Sequence, residues 1–423
     1  MKKGLSAVLA FAITFFGISV TYAGVIGDPT PQLQQAVDNY VQAYGVEEGM
    51  SAVTLSVSAP GINPITVASG CKEKAYPDLN PPVPCTPVST SDLYQIGSNT
   101  KVFMAVILLQ LEAEHVQNFN INDKVSQYLT LPAQWQNEGG NDVTVKQMLN
   151  MTGGIPAYDD NQQFVVDLTH NLNRQFTQAD LINYAGQLPM MFTPGTKWYY
   201  SNTSYILAGM LIEKLTGHSV KYEIQQRIFN RYGLNTMYYE PHAYPGNLYG
   251  QMVHGYMEEE ELADYIPMGT DMTAYNLSWA SSAGAIVSTT SDVLKWVQAL
   301  YTSPALLAPQ QRQELESLVS TATGQPIVKP TPSDPSAYGL GIFSLLVSGQ
   351  VVYSYEGGTM AYREIYVYFP EENIVITAGL NSESDIDHAL QLVSTAYTIL
   401  TNNTLPGLAT AKMTPPSLAH SWH

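Results

Sequence analysis

The chain has 423 residues, of which 45% are hydrophobic, and 36 acidic side chains against 18 basic ones give a formal charge of −18. That length supplies one large or two interleaved domains with a substantial core. Such an excess of negative charge repels nucleic acid and anionic membrane, so neither is expected as a partner.

Residues 1–23 read as a secretory signal. Lys2-Lys3 precedes an apolar run over residues 5–20, and Thr21-Tyr22-Ala23 puts small residues at the cleavage positions. A retained membrane anchor is the alternative. Cleavage near Ala23 removes Lys2 and Lys3 and takes the charge to −20. No later apolar run approaches the ~18 residues of a membrane span. The mature chain is therefore expected to be periplasmic or secreted and free of the membrane, with one domain over residues 24–402 and a polar, proline-containing tail over 403–423.

Residues 31–44 have helical periodicity. Residues 50–58 alternate with β-branched side chains as a strand, with residues 64–69 as its partner across a Pro-Gly turn. Cys71 and Cys85 are the only cysteines. In an exported chain an even pair this close suggests a disulfide, with two free thiols as the alternative. From Ser98 to about Leu318 the pattern is mainly helical. Residues 143–149 and 291–297 are clear helix starts, and Thr289 with Asp292 can form a capping box. Strands return at residues 340–345, 351–355, 364–369 and 374–380, before a last helix at 385–400. This order predicts an α+β fold. One antiparallel sheet is assembled from both chain ends, about residues 30–95 and 335–402, with a helical region inserted over about 98–320.

The chemistry starts at Ser98-Asn99-Thr100-Lys101, followed by Val102 to Leu109, apolar on every side as in a helix buried all round. Ser98 and Lys101 then share one face, a turn apart. Burial disfavours the ammonium, so a neutral amine able to take the serine proton is expected near neutral pH. The helix N-terminus adds a positive field where an oxyanion forms. The plain alternative for S-x-x-K is a capping serine and a surface lysine. A second S-x-x-K, Ser69 to Lys72, has nothing behind it to desolvate its lysine and reads as chance. Tyr200-Ser201-Asn202 follows a Pro194-Gly195 turn and opens an apolar-faced helix ending near Gly217. Tyr200 can relay a proton, and the Asn202 amide can hold both a lysine and a substrate carbonyl. Alternatively, Tyr200 is core and Asn202 a cap. The run Glu258 to Glu261 reads as a solvated loop. No H-E-x-x-H, C-x-x-C, phosphate loop or G-x-S-x-G occurs, so neither metal nor cofactor is expected.

These motifs resemble the serine β-lactamase and penicillin-binding-protein superfamily, in its class C, DD-carboxypeptidase and esterase branch. Ser98/Lys101 and Tyr200/Asn202 match its first two motifs in order, and the likeness spans residues 32–400. The resemblance implies the β-lactamase/transpeptidase-like fold and an acyl-enzyme on Ser98, with Lys101 and Tyr200 sharing the proton traffic and Asn202 on the substrate amide. Tyr355-Glu356-Gly357 aligns with the third motif. The backbone N–H groups of Ser98 and Gly358 would then form the oxyanion hole, with Tyr355 and Thr359 on the substrate side. Tyr355 stands where the family usually has lysine or histidine, so the cation for a substrate carboxylate is missing. Arg363 either compensates or serves as a structural ion-pair partner. The implied substrate is a small molecule or peptide. D-alanyl-D-alanine carboxypeptidase-like hydrolysis is expected first, esterase or D-amino-acid amidase activity second and β-lactamase third. A non-catalytic binding protein is the reading from another class.

Overall fold

The computed structural model describes residues 27–74, 84–347, 349–384 and 386–404. The signal segment and residues 405–423 of the tail lie outside the described residues. Helix α1 (Thr30–Tyr44) opens with Pro31 in its first turn, where a missing N–H costs nothing. Strand β1 (Ala52–Ser58) shows why alternation matters. Val53, Leu55 and Val57 join the apolar cluster of Leu33 and Val37 from α1. Thr54 and Ser56 face the other way, bonding the Tyr94 hydroxyl and Thr290 Oγ1.

The main sheet contains β1, β2 (Ile65–Glu73), β3 (Thr86–Pro87), β4 (Val319–Ser320), β5 (Ser336–Tyr338), β6 (Phe343–Val347), β7 (Gln350–Thr359), β8 (Tyr362–Phe369) and β9 (Ile374–Leu380). Their order is β3-β2-β1-β9-β8-β7-β6-β5-β4, with every neighbouring pair antiparallel. Both chain ends meet inside it, at the seam of its third and fourth strands, where Leu55 lies opposite Ala378. Helices α1 and α5 (Ala389–Thr404) cover one face. The inserted region, with α2 (Lys101–Ala113), α3 (Asn202–Thr216) and α4 (Thr290–Thr302), covers the other.

Helix α2 is buried throughout from Lys101 to Glu112. Each large apolar side chain in it contributes roughly 1.5–3 kcal/mol on leaving water, which anchors the residue at its head. The Cys71–Cys85 disulfide is present. Lys72 pairs with Asp92 at 2.7 Å, and in strand β2 it points away from Ser69, so the second S-x-x-K has no chemistry.

Several boundaries differ from the sequence expectation. β2 runs on to Glu73, and β7 continues through Gly357 and Gly358 because it pairs with β8 there. The expected strand at 340–342 is a turn, and α5 starts at Ala389. Thr289 caps α4 by accepting from Asp292 N–H, but the Asp292 carboxylate turns to Thr236 N–H and Oγ1, both at 2.6 Å, so the capping box is one-sided. The acidic run is a solvated loop only in part: Glu260 is exposed, but Glu258 and Glu259 are drawn in. Tyr256–Glu258 pairs in parallel with Ser382–Ser384, and this buries Glu259 to 4% exposure.

Candidate active site

Ser98 occupies a 3₁₀ turn (Gly97–Thr100) that runs directly into α2. Neighbouring elements fix this turn. Ile286 O accepts from Ile96 N–H at 3.0 Å, and Ile286 N–H donates to Thr100 Oγ1 at 3.2 Å. Asn99 Nδ2 donates to the Glu364 backbone oxygen at 2.8 Å and also to the Glu364 carboxyl group. β7 lies backbone-to-backbone against the turn, and only glycine allows it. A Cβ on Gly357 would sit 2.1 Å from Ile96 O and 2.6 Å from Ser98 N. On Gly97, at φ +49°, it would meet Gly358 O at 2.3 Å.

Lys101 Nζ is 2.8 Å from Ser98 Oγ and donates to Ala283 O at 3.0 Å. The side chain is 0% exposed. Burial pulls its pKa down to about 7, against the opposing attraction of Asp159. The amine is therefore poised to be neutral near physiological pH. Tyr200 donates its hydroxyl to Ser98 Oγ at 2.9 Å, and burial pushes that phenol up to about 12. Met151 pins the segment carrying it. Its oxygen accepts from Tyr199 N–H at 3.1 Å and its sulfur from Ser201 N–H at 3.2 Å. Met151 itself is held at φ +64°, a conformation that a non-glycine residue keeps only under pressure from its surroundings.

Asn202 does not bond Lys101 as the sequence suggested. Its amide nitrogen donates to Asp159 Oδ2 at 2.8 Å, leaving Asp159 Oδ1 without a hydrogen-bond partner. Burial pushes the Asp159 carboxyl up to about 6, and the Asn202 bond works the other way. Sequence reasoning missed Asp159. Its only signal is a carboxylate pair, Asp159-Asp160, soon after the Gly153-Gly154-Ile155-Pro156 turn.

The third-motif residues are placed differently from expectation. Tyr355 is 2% exposed and sits behind Tyr200, donating to its hydroxyl at 3.2 Å and sharing a hydrogen bond with the Tyr338 hydroxyl at 3.1 Å. Its polar end supports the Ser98–Tyr200 pair rather than an open substrate face. Thr359 is buried, its hydroxyl without a partner. Gly358 borders the Ser98 turn on one side and the Glu383 carboxylate on the other, 2.8 Å from where its Cβ would stand. Arg363 is committed elsewhere, to Glu48 at 2.6 Å, Asp387 at 2.7 Å and Ser382 O at 3.0 Å. It is the ion-pair partner, not a substitute cation.

A cleft of about 580 Å³ has Asp159 and Met360, next to the end of β7, in its lining, whereas Ser98, Lys101 and Tyr200 do not line it. A half-buried serine and tyrosine around a buried lysine, between an antiparallel sheet and a helical region, define the class: a serine-hydrolase site on a β-lactamase-like fold. A family model, Beta-lactamase, matches residues 37–392. The chain belongs to the Beta-lactamase family, within the serine hydrolase superfamily of β-lactamases and penicillin-binding proteins.

It is 26% identical over 321 residues to Penicillin-binding protein 4* of Bacillus subtilis, covering 74% of this chain and 66% of that protein. It is 25% identical over 365 residues to Protein flp of Staphylococcus aureus, covering 84% and 64%. The chain thus spans just under two thirds of the length of these relatives. Among solved structures, a D-stereospecific amidohydrolase from Streptomyces sp. superimposes with a TM-score of 0.71 at 24% identity, over 86% of this chain and 97% of that one. The D-amino acid amidase of Ochrobactrum anthropi SV3, complexed with L-phenylalanine amide, gives 0.71 at 21% identity over 89% and 99%.

Proposed function

We propose that the protein is an exported serine hydrolase that cleaves amide bonds of D-amino-acid substrates through an acyl-Ser98 intermediate, as an amidase rather than a carboxypeptidase. The observation that carries the chemistry is the contact of a fully buried Lys101 with Ser98 Oγ at 2.8 Å. With its pKa near 7, Lys101 accepts the Ser98 proton as Oγ attacks the carbonyl carbon. Tyr200, whose phenol stays protonated up to about 12, serves as proton donor to the departing nitrogen. The Ser98 and Gly358 N–H groups take the oxyanion, and one such donor is typically worth about 10²–10³ in rate. Water then releases the acyl group.

The preference for an amide over a free C-terminal carboxylate rests on charge. Tyr355 is neutral and buried, and Arg363 is held by Glu48 and Asp387. A substrate carboxylate thus lacks the charge-assisted bond that is roughly twice as strong as a neutral one. The likeness to Penicillin-binding protein 4* supports the second reading, a D-alanyl-D-alanine carboxypeptidase.

Fluorophosphonate and fluorescent-penicillin labelling, beside Ser98→Ala, separate these. We expect fluorophosphonate labelling that is lost in the variant, ammonia release from D-amino-acid amides, and weak penicillin labelling. Strong penicillin labelling with no amide turnover would move the assignment to the carboxypeptidase. Absence of any Ser98 adduct would remove the hydrolase reading altogether.

A further inference from the structure

Tyr200 is the near end of a hydrogen-bonded run of phenols that leads away from Ser98 into the sheet. Tyr355, on β7, donates to the Tyr200 hydroxyl at 3.2 Å. That commits the single proton of Tyr355, so in its 3.1 Å bond with Tyr338, on β5, it is Tyr338 that donates. Tyr200 in turn donates to Ser98 Oγ at 2.9 Å, and Lys101 Nζ lies 2.8 Å from the same oxygen. Every phenol in the run therefore donates toward the nucleophile. Tyr338 is 0% exposed and Tyr355 2%. Phe343, on β6 between them, packs against both rings, with centroids at 4.6 and 5.0 Å. The rings are thus held in place, and the run beyond Ser98 consists of neutral phenols.

We propose that Tyr338 is a positioning residue for leaving-group expulsion, acting through Tyr355 to stabilise the phenolate that Tyr200 becomes when it gives up its proton. The proposal rests on the acyl-Ser98 reading and gives a role to a residue that touches neither Ser98 nor Tyr200. In acylation the Ser98 proton passes to Lys101 as the bond from Oγ to the carbonyl carbon forms. The carbon–nitrogen bond breaks, and the departing nitrogen takes the Tyr200 proton. Tyr200 recovers a proton from the Lys101 ammonium, 4.9 Å from the centre of its ring, so the net transfer is from Ser98 to nitrogen. While Tyr200 is a phenolate, the bond from Tyr355 is charge-assisted and roughly twice as strong as before. Tyr338 polarises Tyr355 in the same direction, and bonds in such a chain strengthen one another by about 10–30% each. The third motif, although it has no lysine or histidine, thereby still stabilises an anion.

The test exploits a leaving group that needs no proton. Fluoride departs from a fluorophosphonate as the anion, whereas the nitrogen of D-phenylalanine amide must be protonated to leave. In Tyr338→Phe, kcat/KM for ammonia release from the amide should fall about 2- to 4-fold more than the rate of fluorophosphonate labelling. In Tyr355→Phe the gap should be wider. Adding Tyr338→Phe to that variant should cost the amide nothing further, because the link is already cut. Comparing two reactions of one enzyme removes any loss of folded protein, which lowers both alike. Equal losses in the two reactions, no loss in either, or a Tyr338→Phe cost that persists beside Tyr355→Phe overturn the proposal while the hydrolase reading stands. A wild type that is labelled but releases no ammonia overturns it together with the amidase reading. A wild type that does neither removes the hydrolase reading as well.

Discussion

Asn202 gives its amide N–H to Asp159 at 2.8 Å, and the same carboxylate is the charge that most strongly opposes deprotonation of Lys101. One acid thus ties the second motif to the first. Asp159→Ala strands a buried donor, a penalty of about 1–3 kcal/mol, and removes the anion that raises the lysine. Fluorophosphonate labelling should slow by about tenfold or more, and its pH midpoint should move to lower pH. Slower labelling with an unmoved midpoint would mean that Asp159 serves Asn202 alone.

Wild-type labelling should itself rise with pH and level off above about 7, as Lys101 loses its proton. The same residue costs stability. Its folded pKa lies below the ordinary 10.5, so between about 7 and 10.5 the unfolded chain binds the extra proton, and this contribution to stability rises with pH. Lys101→Met should therefore be inactive yet more stable than wild type at pH 7 by urea denaturation. Equal or lower stability would contradict a desolvated amine.

Glu364 carries the opposite sign. It is 0% exposed, and burial holds its carboxyl well above the ordinary value. The native state keeps that proton after the unfolded chain has lost it. The stability it contributes is complete at acid pH and declines as pH rises above about 4.5. Glu364→Gln retains an acceptor for Asn99 and should gain on the order of 1–3 kcal/mol at pH 8 relative to pH 5. Parallel denaturation series at the two pH values measure this.

Arg363→Met breaks a buried ion pair and should destabilise by about 3–5 kcal/mol. The labelling rate of the folded fraction should hold steady, since Arg363 faces Glu48 and Asp387. A selective loss of penicillin labelling would instead assign Arg363 to substrate carboxylates.

Tyr355→Phe removes the donor behind Tyr200 while keeping the ring, so acylation should slow by about 3- to 10-fold, the weight of one neutral hydrogen bond. A loss confined to KM would place Tyr355 on the substrate.

Ser98, Lys101 and Tyr200 were readable because local pattern carries them: a helix apolar on all sides, a one-turn spacing and a single Y-x-N. The sheet strands were readable from alternation, as in Val53, Leu55 and Val57. What escaped depends on tertiary approach. Asp159 meets Asn202 from 43 residues away, and Glu48 meets Arg363 from 315. The end of β7 was hidden because Gly357 and Gly358 weaken strand propensity, and the close passage of the Ser98 turn demands them all the same. The buried tyrosine chain through Tyr338 has no periodicity to betray it.

Strand β1 has β2 on one side and β9 on the other. During synthesis its second neighbour does not exist until the ribosome has passed residue 380, by which point nine-tenths of the polypeptide is made. A nascent chain lacking that partner presents an open edge and no finished sheet, so completion comes late and slowly.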